Sequence, residues 1–571
     1  MPVEFWREVV DRIAKDTPDT LLLAEAFWMM EGYFVRTLGM HRVYNSAFMH
    51  MLKDEDNAKY RKSIFNVIEF NPEILKRFVN FMSNPDEETA ITQFGSDDKY
   101  FGVCLVMSTM PGLPMFAHGQ IEGFSERYGM EFSRSKWNEK ENNFLIERHQ
   151  REIFPILKKR EIFAEVENFY LYDFFTDDGN LNENVFVYSN SKNNERSLVI
   201  YNNKFENTSG WINWANAVQK DEDENPVWFR KNFGEIFNLH NDERYYLIFK
   251  DQIKGEYLIR NSKEIFEKGI YENLEAYKYK VYLDFYEVKD TNDKAYQKLA
   301  QYLQGGSTKD INTALRKTYL LPVIEVFSTL INEKNIRKLI DLQFVQTNEF
   351  ELFLSDYLMN DLERFYSGTA SYLNLKPIDD ELISLIIKDM IYWMENAKEF
   401  INSNKVTKQQ NLIIILQLLL RNFAKISSIS ANESDSCIML HDLLLFDEIT
   451  QLLRFLLNEK LPEKFIEKLE IAIKYSSLWK KEKFDEALIK DIFDNIAVRT
   501  LLKINKFDKI WWYDKESFEE FVDILAVINQ LNYELTSVDN RESFDGFKQI
   551  LKKLKKSDKS SGCELEKLIG Y

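Results

Sequence analysis

The sequence predicts a multidomain chain in which an α/β region is followed by an antiparallel β region and then by a helical region. Short apolar runs alternate with helical patterns up to about residue 160, a period-two pattern then reaches about residue 290, and amphipathic helical patterns fill the rest. The chain has 571 residues, too many for one core, since domains usually hold roughly 100 to 200 residues. We therefore predict domains at 1–160, 161–290 and 291–571.

The composition indicates a folded protein that avoids polyanions. Hydrophobic residues make up 45% of the chain and aromatic residues 14%, which is too much for a disordered chain. There are 74 Lys and Arg residues against 92 Asp and Glu residues, a net charge of −18 that repels nucleic acid and anionic membranes. We expect no nucleic-acid or membrane partner, whereas uncharged ligands such as sugars stay compatible with the charge.

Cysteine usage and the N-terminal pattern predict a cytoplasmic, reducing location. Cys104, Cys437 and Cys563 show no paired spacing typical of disulfides or structural zinc. The first residues, "MPVEFWREVVDRIAKD", lack the basic start and apolar core of a signal peptide. The longest apolar block, "LIIILQLLL" at 412–420, is well below the ~20 residues of a membrane helix, so we expect a buried helix there.

The first 160 residues predict four parallel strands. After the helical pattern "VEFWREVVDRIA", apolar runs occur in "TLLLAE", "RVYNSAFM", "RFVNFMSN" and "GLPMFAHG". Helical segments separate them, such as the one at 59–68, and a final helix is predicted in "NNFLIERHQREIFPILKKR". Strands and helices that alternate in this way form parallel β/α units with right-handed crossovers.

Period-two patterns predict an antiparallel β-sandwich from residue 161. The runs "NVFVYSN" and "RSLVIYNN" flank the polar cluster "SKNNE", which is typical of a hairpin. The segment "AYKYKVYLDFYEV" places five apolar side chains on one face: Tyr277, Tyr279, Val281, Leu283 and Phe285.

Helical periodicity dominates the last 280 or so residues. In "FEEFVDILAVINQL", which follows Ser517, the apolar residues fall on one helix face. The segment "PVIEVFSTLI" begins with Pro322, which we expect in the first turn of a helix. No motif in this region indicates its role.

Polar residues follow the four predicted strands, at the positions where parallel β/α folds carry function. The first run ends in Glu25, the second passes Tyr44 and Asn45, the third ends in "NPDEE" and the fourth in "HGQIEG". A single acid after a strand is more often a helix cap or a solvated loop residue, and "NPDEE" also suits a helix start capped by Asp86 or a neighbour. A single histidine such as His118 is more often a hydrogen-bonded core or rim residue than a ligand. The pattern of residues leaves both interpretations open.

Three motifs resemble, in order and spacing, the later strands of the α-amylase family barrel, glycoside hydrolase family 13. "LLLAEAFW" resembles the fifth strand, "FVNFMSNPDEETA" the seventh and "STMPGLPMFAHGQIEGF" the eighth. The resemblance covers about residues 1–290 and implies the C-terminal half of a TIM-type (β/α)8 barrel, strands five to eight, followed by the family's antiparallel β-sandwich. It implies a glycoside hydrolase or transferase that acts on α-glucans or oligosaccharides by a retaining mechanism. The all-α remainder has no counterpart in it.

The same resemblance implies roles for individual residues. Glu25 would be the general acid/base, and its expected place beside Phe27 and Trp28 would desolvate the carboxyl group and raise its pKa. Asp86 would orient sugar hydroxyls and stabilise the transition state. The residues expected to bind substrate are Trp28, Tyr44, Asn84 and His118. Trp28 suits either stacking on a sugar ring or simple packing. We predict no cofactor, and no metal, because the ligands of the family's calcium ion come largely from the other half of the barrel.

Two departures from the family pattern matter. Pro85 replaces the histidine of the family's N-H-D triplet and cannot donate its hydrogen bond. The nucleophilic aspartate, at the end of the family's fourth strand, has no match and is expected to lie before Met1. Three explanations stay open: a fragment of a longer enzyme, which we favour, a split enzyme completed by a second chain that supplies strands one to four, or an inactive relative. We expect no efficient turnover by the chain alone. The alternative function is a non-catalytic carbohydrate-binding or interaction protein on a degenerate amylase scaffold.

Overall fold

The computed structural model describes residues 4–25, 31–127, 133–222, 225–342, 352–354, 358–375, 380–403, 406–428, 430–456, 464–481, 486–536 and 541–569. They divide into two compact units, Met1–Thr318 and Tyr319–Tyr571. The finer division at residues 160 and 290 stays a prediction. Within the described parts of the chain, no helix is long and apolar enough to cross a membrane.

A four-stranded parallel sheet begins the first unit, and each strand lies within one of the predicted apolar runs. Its strands are β1 (Leu23–Ala24), β2 (Arg42–Tyr44), β3 (Phe78–Phe81) and β4 (Leu113–Met115), hydrogen-bonded in that order. The helices around them are α1 (Phe5–Asp16), α2 (Glu31–Arg36), α3 (Ser46–Lys53), α4 (Asn57–Phe70), α5 (Ala90–Phe94) and α6 (Asp98–Thr109), with a 3-10 turn at Pro72–Arg77. The sequential order follows from helical crossovers between parallel neighbours.

A short run of helices leads to the second sheet. These are α7 (Asn143–Arg148), a π-helical turn (His149–Ile153), α8 (Phe154–Leu157) and α9 (Arg160–Phe163). The strands from β5 onward are β5 (Tyr170–Thr176), β6 (Val185–Lys192), β7 (Glu195–Asn202), β8 (Thr208–Ala215), β9 (Val218–Glu222), β10 (Asn225–Phe229), β11 (Tyr245–Asp251), β12 (Glu256–Asn261), β13 (Ile270–Leu274), β14 (Tyr279–Lys289) and β15 (Ser307–Thr308). Nine of them form one antiparallel sheet in the order β13-β8-β5-β6-β7-β14-β11-β12-β15. Strands β9 and β10 pair only with each other in the described part.

The predicted antiparallel region is therefore present, but the predicted sandwich stays unconfirmed, because the nine strands share one curled sheet. Apolar side chains from β13, at one end of the sheet, and from β11, near the other end, lie in the same core, for example Leu274 and Leu247. The hairpin β6–β7 turns at Asn193 and Asn194, both with positive φ, within the predicted polar cluster. The helices packed on this sheet are α10 (Phe233–Ile236), α11 (Ser262–Lys268) and α12 (Ala295–Leu303).

The predicted apolar face of the long strand β14 is wrong at two of its five residues. Tyr277 lies before the strand, in a turn with a φ of 57°. Tyr279, Val281 and Leu283 pack in the core shared with the parallel region, as alternation predicts. Phe285 instead lies in the sheet's own core. Asp284 has a φ of 52°, and the register with β11 shifts beside it, so a β-bulge reverses the alternation.

The parallel and antiparallel regions share one core. Helix α6 is buried on every side, and Gly102 within it lies so close to Tyr201 of β7 that an added Cβ would be 2.0 Å from the ring. Apolar side chains of α3, α6 and β7, including Phe48, Val103 and Val199, pack in this core. The contact fixes the parallel strands on a rigid base.

The second unit is mainly helical, with one two-stranded hairpin, β16 (Asn505–Phe507) and β17 (Ile510–Trp512), that the all-α prediction did not include. Pro322 lies inside a helix, not in its first turn, because the apolar pattern starts eleven residues earlier at Ile311. The apolar block 412–420 is a buried helix, as predicted. The helices from the end of the first unit onward are α13 (Ile311–Leu330), α14 (Glu333–Leu342), α15 (Met359–Tyr372), α16 (Asp380–Ser403), α17 (Lys408–Leu420), α18 (Glu433–Asp442), α19 (Leu445–Leu456), α20 (Phe465–Lys474), α21 (Glu486–Asp494), α22 (Ile496–Leu501), α23 (Lys515–Glu534), α24 (Arg541–Ser561) and α25 (Leu565–Ile569), with 3-10 turns at Phe423–Ile426 and Leu478–Lys480.

Candidate active site

The carboxyl ends of the four parallel strands meet at one edge of the sheet. The register pairs Ala24 with Val43 and Phe81 with Met115, so the chain leaves each strand at the same edge. Glu25 follows β1 directly, while the "NPDEE" and "HGQ" segments follow β3 and β4. The sheet therefore brings the predicted residues to a common rim. We refer to this edge and its loops as the strand-end rim.

Glu25 and Tyr44 are neighbours at the rim. Partial burial raises the pKa of the Tyr44 phenol, and the negative charge of Glu25 raises it further. The Tyr44 ring packs edge-on against Phe81, with 5.5 Å between ring centroids. Glu25 is exposed, and the two aromatic residues expected beside it, Phe27 and Trp28, lie outside the described residues. The arrangement holds a phenol hydroxyl near an exposed carboxylate.

Beneath the rim, two buried asparagines connect β2 with β3. The side-chain amide of Asn45 donates to the side-chain oxygen of Asn80 at 2.9 Å, and Asn45 also caps α3 by accepting from the Phe48 backbone N–H. Asn80 donates to the carbonyl of Pro111 at 3.4 Å. These bonds fix the relative positions of three strand ends. Our predicted site did not include Asn80. Its signal in the sequence was a polar residue in the middle of the apolar run "RFVNFMSN".

The "NPDEE" segment forms a turn instead of a helix start. The side-chain oxygen of Asn84 accepts from the backbone N–H groups of Asp86, at 3.0 Å, and Glu87, at 2.9 Å. Helix α5 begins only at Ala90, after Thr89, so the alternative in which Asp86 caps a helix is wrong. The Asp86 side chain is exposed, and its backbone carbonyl accepts from the guanidinium of Arg127. The turn thus uses the Asn84 oxygen and leaves the Asp86 carboxylate facing solvent.

The loop after β4 is held by a buried glutamine that our predicted site does not include. Gln120 accepts from the Ala117 backbone N–H at 3.2 Å, and its backbone carbonyl accepts from the hydroxyl of Tyr100 at 2.8 Å. His118, on the same loop, is exposed, with its ring 6.2 Å from that of Phe124. The loop therefore has a fixed base and an exposed histidine. Gln120 was visible in the motif "HGQ", but no pattern in the sequence indicated that it is buried.

A buried histidine lies behind this loop. His149, in the π-helical turn, contacts the Tyr100 hydroxyl through Nε2 at 2.9 Å. Burial lowers the pKa of His149 to about 4. The ring is therefore neutral near pH 7 and serves as a hydrogen-bonding partner for Tyr100. In the described chain, no cluster of three or more His, Cys, Asp or Glu side chains is arranged to hold a metal ion.

No protein-family model matches the chain, and no curated protein matches it either. Among solved structures it is similar to the debranching enzyme of Nostoc punctiforme soaked with acarbose, at 15% identity and a TM-score of 0.34 over 49% of this chain and 54% of that one. It is also similar to an α-amylase of Geobacillus thermoleovorans complexed with acarbose, at 15% identity and a TM-score of 0.32 over 50% and 57% of the two chains. An α-amylase of H. orenii gives 14% identity and a TM-score of 0.30 over 49% and 56%.

The chain spans about half the length of these solved structures. These solved structures are α-amylases and a debranching enzyme.

Proposed function

We propose that the chain contributes the acid/base half of a glycoside hydrolase of the α-amylase family, acting on α-glucans by a retaining mechanism. The observation that carries the proposal is the strand-end rim, where one parallel sheet gathers three motifs in the family's order. Glu25 is proposed as the general acid/base and Asp86 as the residue that orients sugar hydroxyls. Tyr44, Trp28 and His118 are proposed to contact the sugar. We also propose a cytoplasmic location.

The retaining mechanism requires a second carboxylate close to Glu25. Nucleophile and acid/base are about 5 to 5.5 Å apart in retaining glycosidases. Glu25 and Asp86 follow strands that are separated by β2, which places the two strand ends roughly 10 Å apart at the usual strand spacing. Asp86 therefore suits an orienting role better than a nucleophilic one. We propose that a further segment supplies the nucleophile.

The open edges of the parallel sheet offer a place for that segment. Among the described residues, β1 pairs only with β2 and β4 only with β3. Both outer strands expose a leucine, Leu23 at 42% and Leu113 at 42%. A parallel strand added beside β1 would end next to Glu25, and unpaired strand edges favour such additions. We propose that the complementary segment, on the same or a second polypeptide, pairs with both edges.

Turnover tests the catalytic proposal. The chain would be purified alone and also from its own locus with the flanking coding sequence intact, and both preparations assayed for new reducing ends from starch. We expect turnover only in the second preparation. Glu25→Gln should lower kcat by about 10² to 10⁴, the usual worth of a general acid/base. Glu88→Gln, an exposed residue of the neighbouring loop, is the matched control and should leave kcat unchanged. Undiminished turnover in Glu25→Gln contradicts the assignment.

Assembly tests the proposed partner. Leu23→Lys and Leu113→Lys should prevent co-purification of the complementary segment when it is a separate chain, because lysine on an edge strand opposes pairing. Leu385→Lys, at a leucine 59% exposed in the second unit, is the control. Equal co-purification of all three variants would contradict pairing at these edges.

A non-catalytic carbohydrate-binding function is the second candidate. Two observations favour it: Pro85 stands where the family has a histidine donor, and the Asn84 oxygen is occupied by the turn backbone. This candidate predicts that maltoheptaose binds at the strand-end rim without any turnover, even with the flanking sequence present. The starch assay above separates the two candidates.

A further inference from the structure

A second cleft lies on the antiparallel sheet, away from the strand-end rim. Its volume is about 1210 Å³, and it is lined by residues of β8, β13, β12 and α12. Pockets for drug-sized ligands hold roughly 300 to 1,000 Å³, so this cleft has room for several sugar units. Strand β13 forms one wall and is an open edge, since it pairs only with β8 among the described residues.

Two aromatic residues that contact each other line this cleft. Trp211 of β8 and Tyr271 of β13 are opposite each other in the register, and their ring centroids are 5.1 Å apart. Tyr271 is 38% exposed, and its hydroxyl donates to an Asp177 oxygen at 3.1 Å, which also accepts from Ser209 at 2.7 Å. These bonds fix the orientation of the Tyr271 ring. An oriented, exposed aromatic pair offers a flat apolar face with polar groups at its border.

Side-chain amides line the rest of the cleft. Helix α12 presents Gln297 and Gln301, which are four residues apart and so lie on one helix face. Gln304 lines the cleft from the position just after the helix, where its φ is 46°. On the opposite wall, Asn273 lies next to Tyr271 in the cleft lining. The side chains of these four residues make no hydrogen bond within the described chain. Each amide offers two N–H donors and a carbonyl acceptor, a combination that matches hydroxyl groups, which also donate and accept.

The charges of the cleft give no preference for an ion. Its lining holds six Lys or Arg residues and five Asp or Glu residues. Some neutralise each other within the site, as Lys280 and Glu272 do. Asp290 is occupied by α12, because its carboxylate accepts from the Tyr296 and Gln297 backbone N–H groups at 2.8 and 3.2 Å. A neutral ligand is therefore favoured over a phosphate or a cation.

We propose that this cleft binds an uncharged oligosaccharide, which stacks on Trp211 and Tyr271 and hydrogen-bonds to the amides of α12 and Asn273. The ligand class follows from the aromatic pair, the free amides and the balanced charge. Choosing an α-glucan as the probe rests on the proposed function. The cleft would hold a glucan chain on the protein while the strand-end rim acts on it.

Calorimetric titration of the full chain with maltoheptaose, and separately with cellohexaose and inorganic phosphate, tests the inference. We expect Trp211→Ala to weaken maltoheptaose binding about tenfold or more, because stacked aromatic anchors dominate such sites. The double variant Gln301→Ala, Gln304→Ala should weaken it several-fold and, being exposed, should still fold. Trp214→Ala is the matched control, since Trp214 lies on the same strand, is 42% exposed and does not line the cleft. Glu25→Gln should also leave this affinity unchanged.

The outcomes separate this inference from the proposed function. Binding of cellohexaose in place of maltoheptaose, lost in Trp211→Ala, supports the cleft and contradicts the glucan specificity of the proposed function. Maltoheptaose binding that survives Trp211→Ala but is lost in Glu25→Gln overturns the cleft and leaves the proposed function standing. Phosphate as the best ligand, or no oligosaccharide binding at all, also overturns the inference. Circular dichroism spectra of every variant identify any loss of folding.

Discussion

The strand-end rim differs from the junction, the region where α4 and α6 of the parallel part pack on the antiparallel sheet. The two regions differ in how many hydrogen bonds and ion pairs their charged side chains make. At the junction, Arg61 of α4 bonds to Asp173 and to the Tyr172 carbonyl of β5, and Glu55 accepts from Lys99 at 2.9 Å. At the rim, Glu25 and Asp86 are exposed, and the loop that carries Asp86 is held mainly by hydrogen bonds to its backbone. The charged groups that fix the fold are buried or partly buried, whereas those proposed for chemistry face solvent.

The difference indicates a rigid base beneath a set of loops that carry function. Buried hydrogen-bonded charges hold one geometry strongly, because breaking them leaves an unpaired charge away from water. Loops at strand ends carry less of the stability and so tolerate functional side chains. Variants of the junction should therefore change stability, and variants of the rim should change it little.

The largest expected effect is at Arg61. Arg61→Met should lower the free energy of unfolding of the first unit by about 2 to 3 kcal/mol, since it removes the hydrogen bonds of a buried guanidinium to Asp173 and to the Tyr172 carbonyl, while Arg230 still pairs with Asp173. Hydrogen exchange of backbone amides in β6 and β7, measured in increasing urea, reports on this unit without the second one. Arg61→Lys should show an intermediate loss, because lysine keeps the charge but not the paired geometry.

Arg12→Ala is the control for the Arg61 variants, because it removes an ion pair that is exposed to solvent. Arg12 pairs with Asp16 at 3.3 Å on α1, and its side chain is 81% exposed. Exposed pairs of this kind contribute about 0.3 to 0.5 kcal/mol. If Arg61→Met is as stable as Arg12→Ala, the junction contributes no more to stability than an exposed ion pair, and the proposed difference between junction and rim is wrong.

The next largest effect is at Asn45, beneath the rim. Asn45→Ala removes the cap of α3 and leaves the buried Asn80 oxygen without its donor. We expect a loss of about 1 to 3 kcal/mol in the free energy of unfolding. Asn45→Asp separates the two roles, because aspartate still caps the helix but cannot donate to Asn80. Chemical denaturation of the three proteins gives the comparison, and equal stability of Asn45→Ala and wild type would contradict the role of the pair.

Sequence patterns predicted regular elements well and their contacts poorly. The hairpin β6–β7 was predictable because "SKNNE" interrupts two alternating runs, and α4 was predictable from helical spacing. The bulge at Asp284 was not, since one residue in the left-handed region leaves no periodic signal. Arg61 and Asp173 are 112 residues apart, and no local pattern pairs them.

In the candidate site, too, some residues were predictable from the sequence and others were not. Strand-end position predicted where Glu25, Asp86 and His118 lie, because parallel strands share an edge. The residues that position them, Asn45 with Asn80 and Gln120, depend on burial that only the packed structure supplies. The Asn84 side chain also takes a structural part in the turn, which its motif alone did not indicate.

Acid should weaken the junction selectively at Glu55. Burial alone would raise the pKa of Glu55, but hydrogen bonds from Tyr277, Lys99 and Lys204 outweigh it and lower the pKa to about 2. A folded pKa below the unfolded one means that the stabilisation is present above about pH 4.5 and is lost as the pH falls toward 2. Because solvent screens this partly exposed site, we expect the ionised Glu55 to contribute about 1 to 2 kcal/mol to the free energy of unfolding.

Glu55→Gln tests this dependence, because glutamine keeps the shape without a titrating group. The unfolding free energy of the first unit, measured between pH 7 and pH 3, should fall less steeply in Glu55→Gln than in wild type. The two curves should converge at low pH. Parallel curves across the whole range would show that Glu55 contributes nothing to the acid sensitivity of the junction.

The smallest expected effect is at Arg127, which tests the rim directly. Arg127 donates to the Asp86 carbonyl and lies 3.8 Å from the Glu88 carboxylate, with both side chains more than half exposed. Arg127→Ala should change the free energy of unfolding by less than about 0.5 kcal/mol, since exposed ion pairs contribute little. It should nevertheless alter the loop, because Asp86 loses the contact that fixes its backbone. Chemical shifts of the Asp86 and Glu87 amides should move while those of β6 stay constant. A loss of stability as large as that of Arg61→Met would mean that the rim is part of the rigid base. An unchanged chemical shift of the Asp86 amide would mean that the turn formed by Asn84 is sufficient to hold the loop.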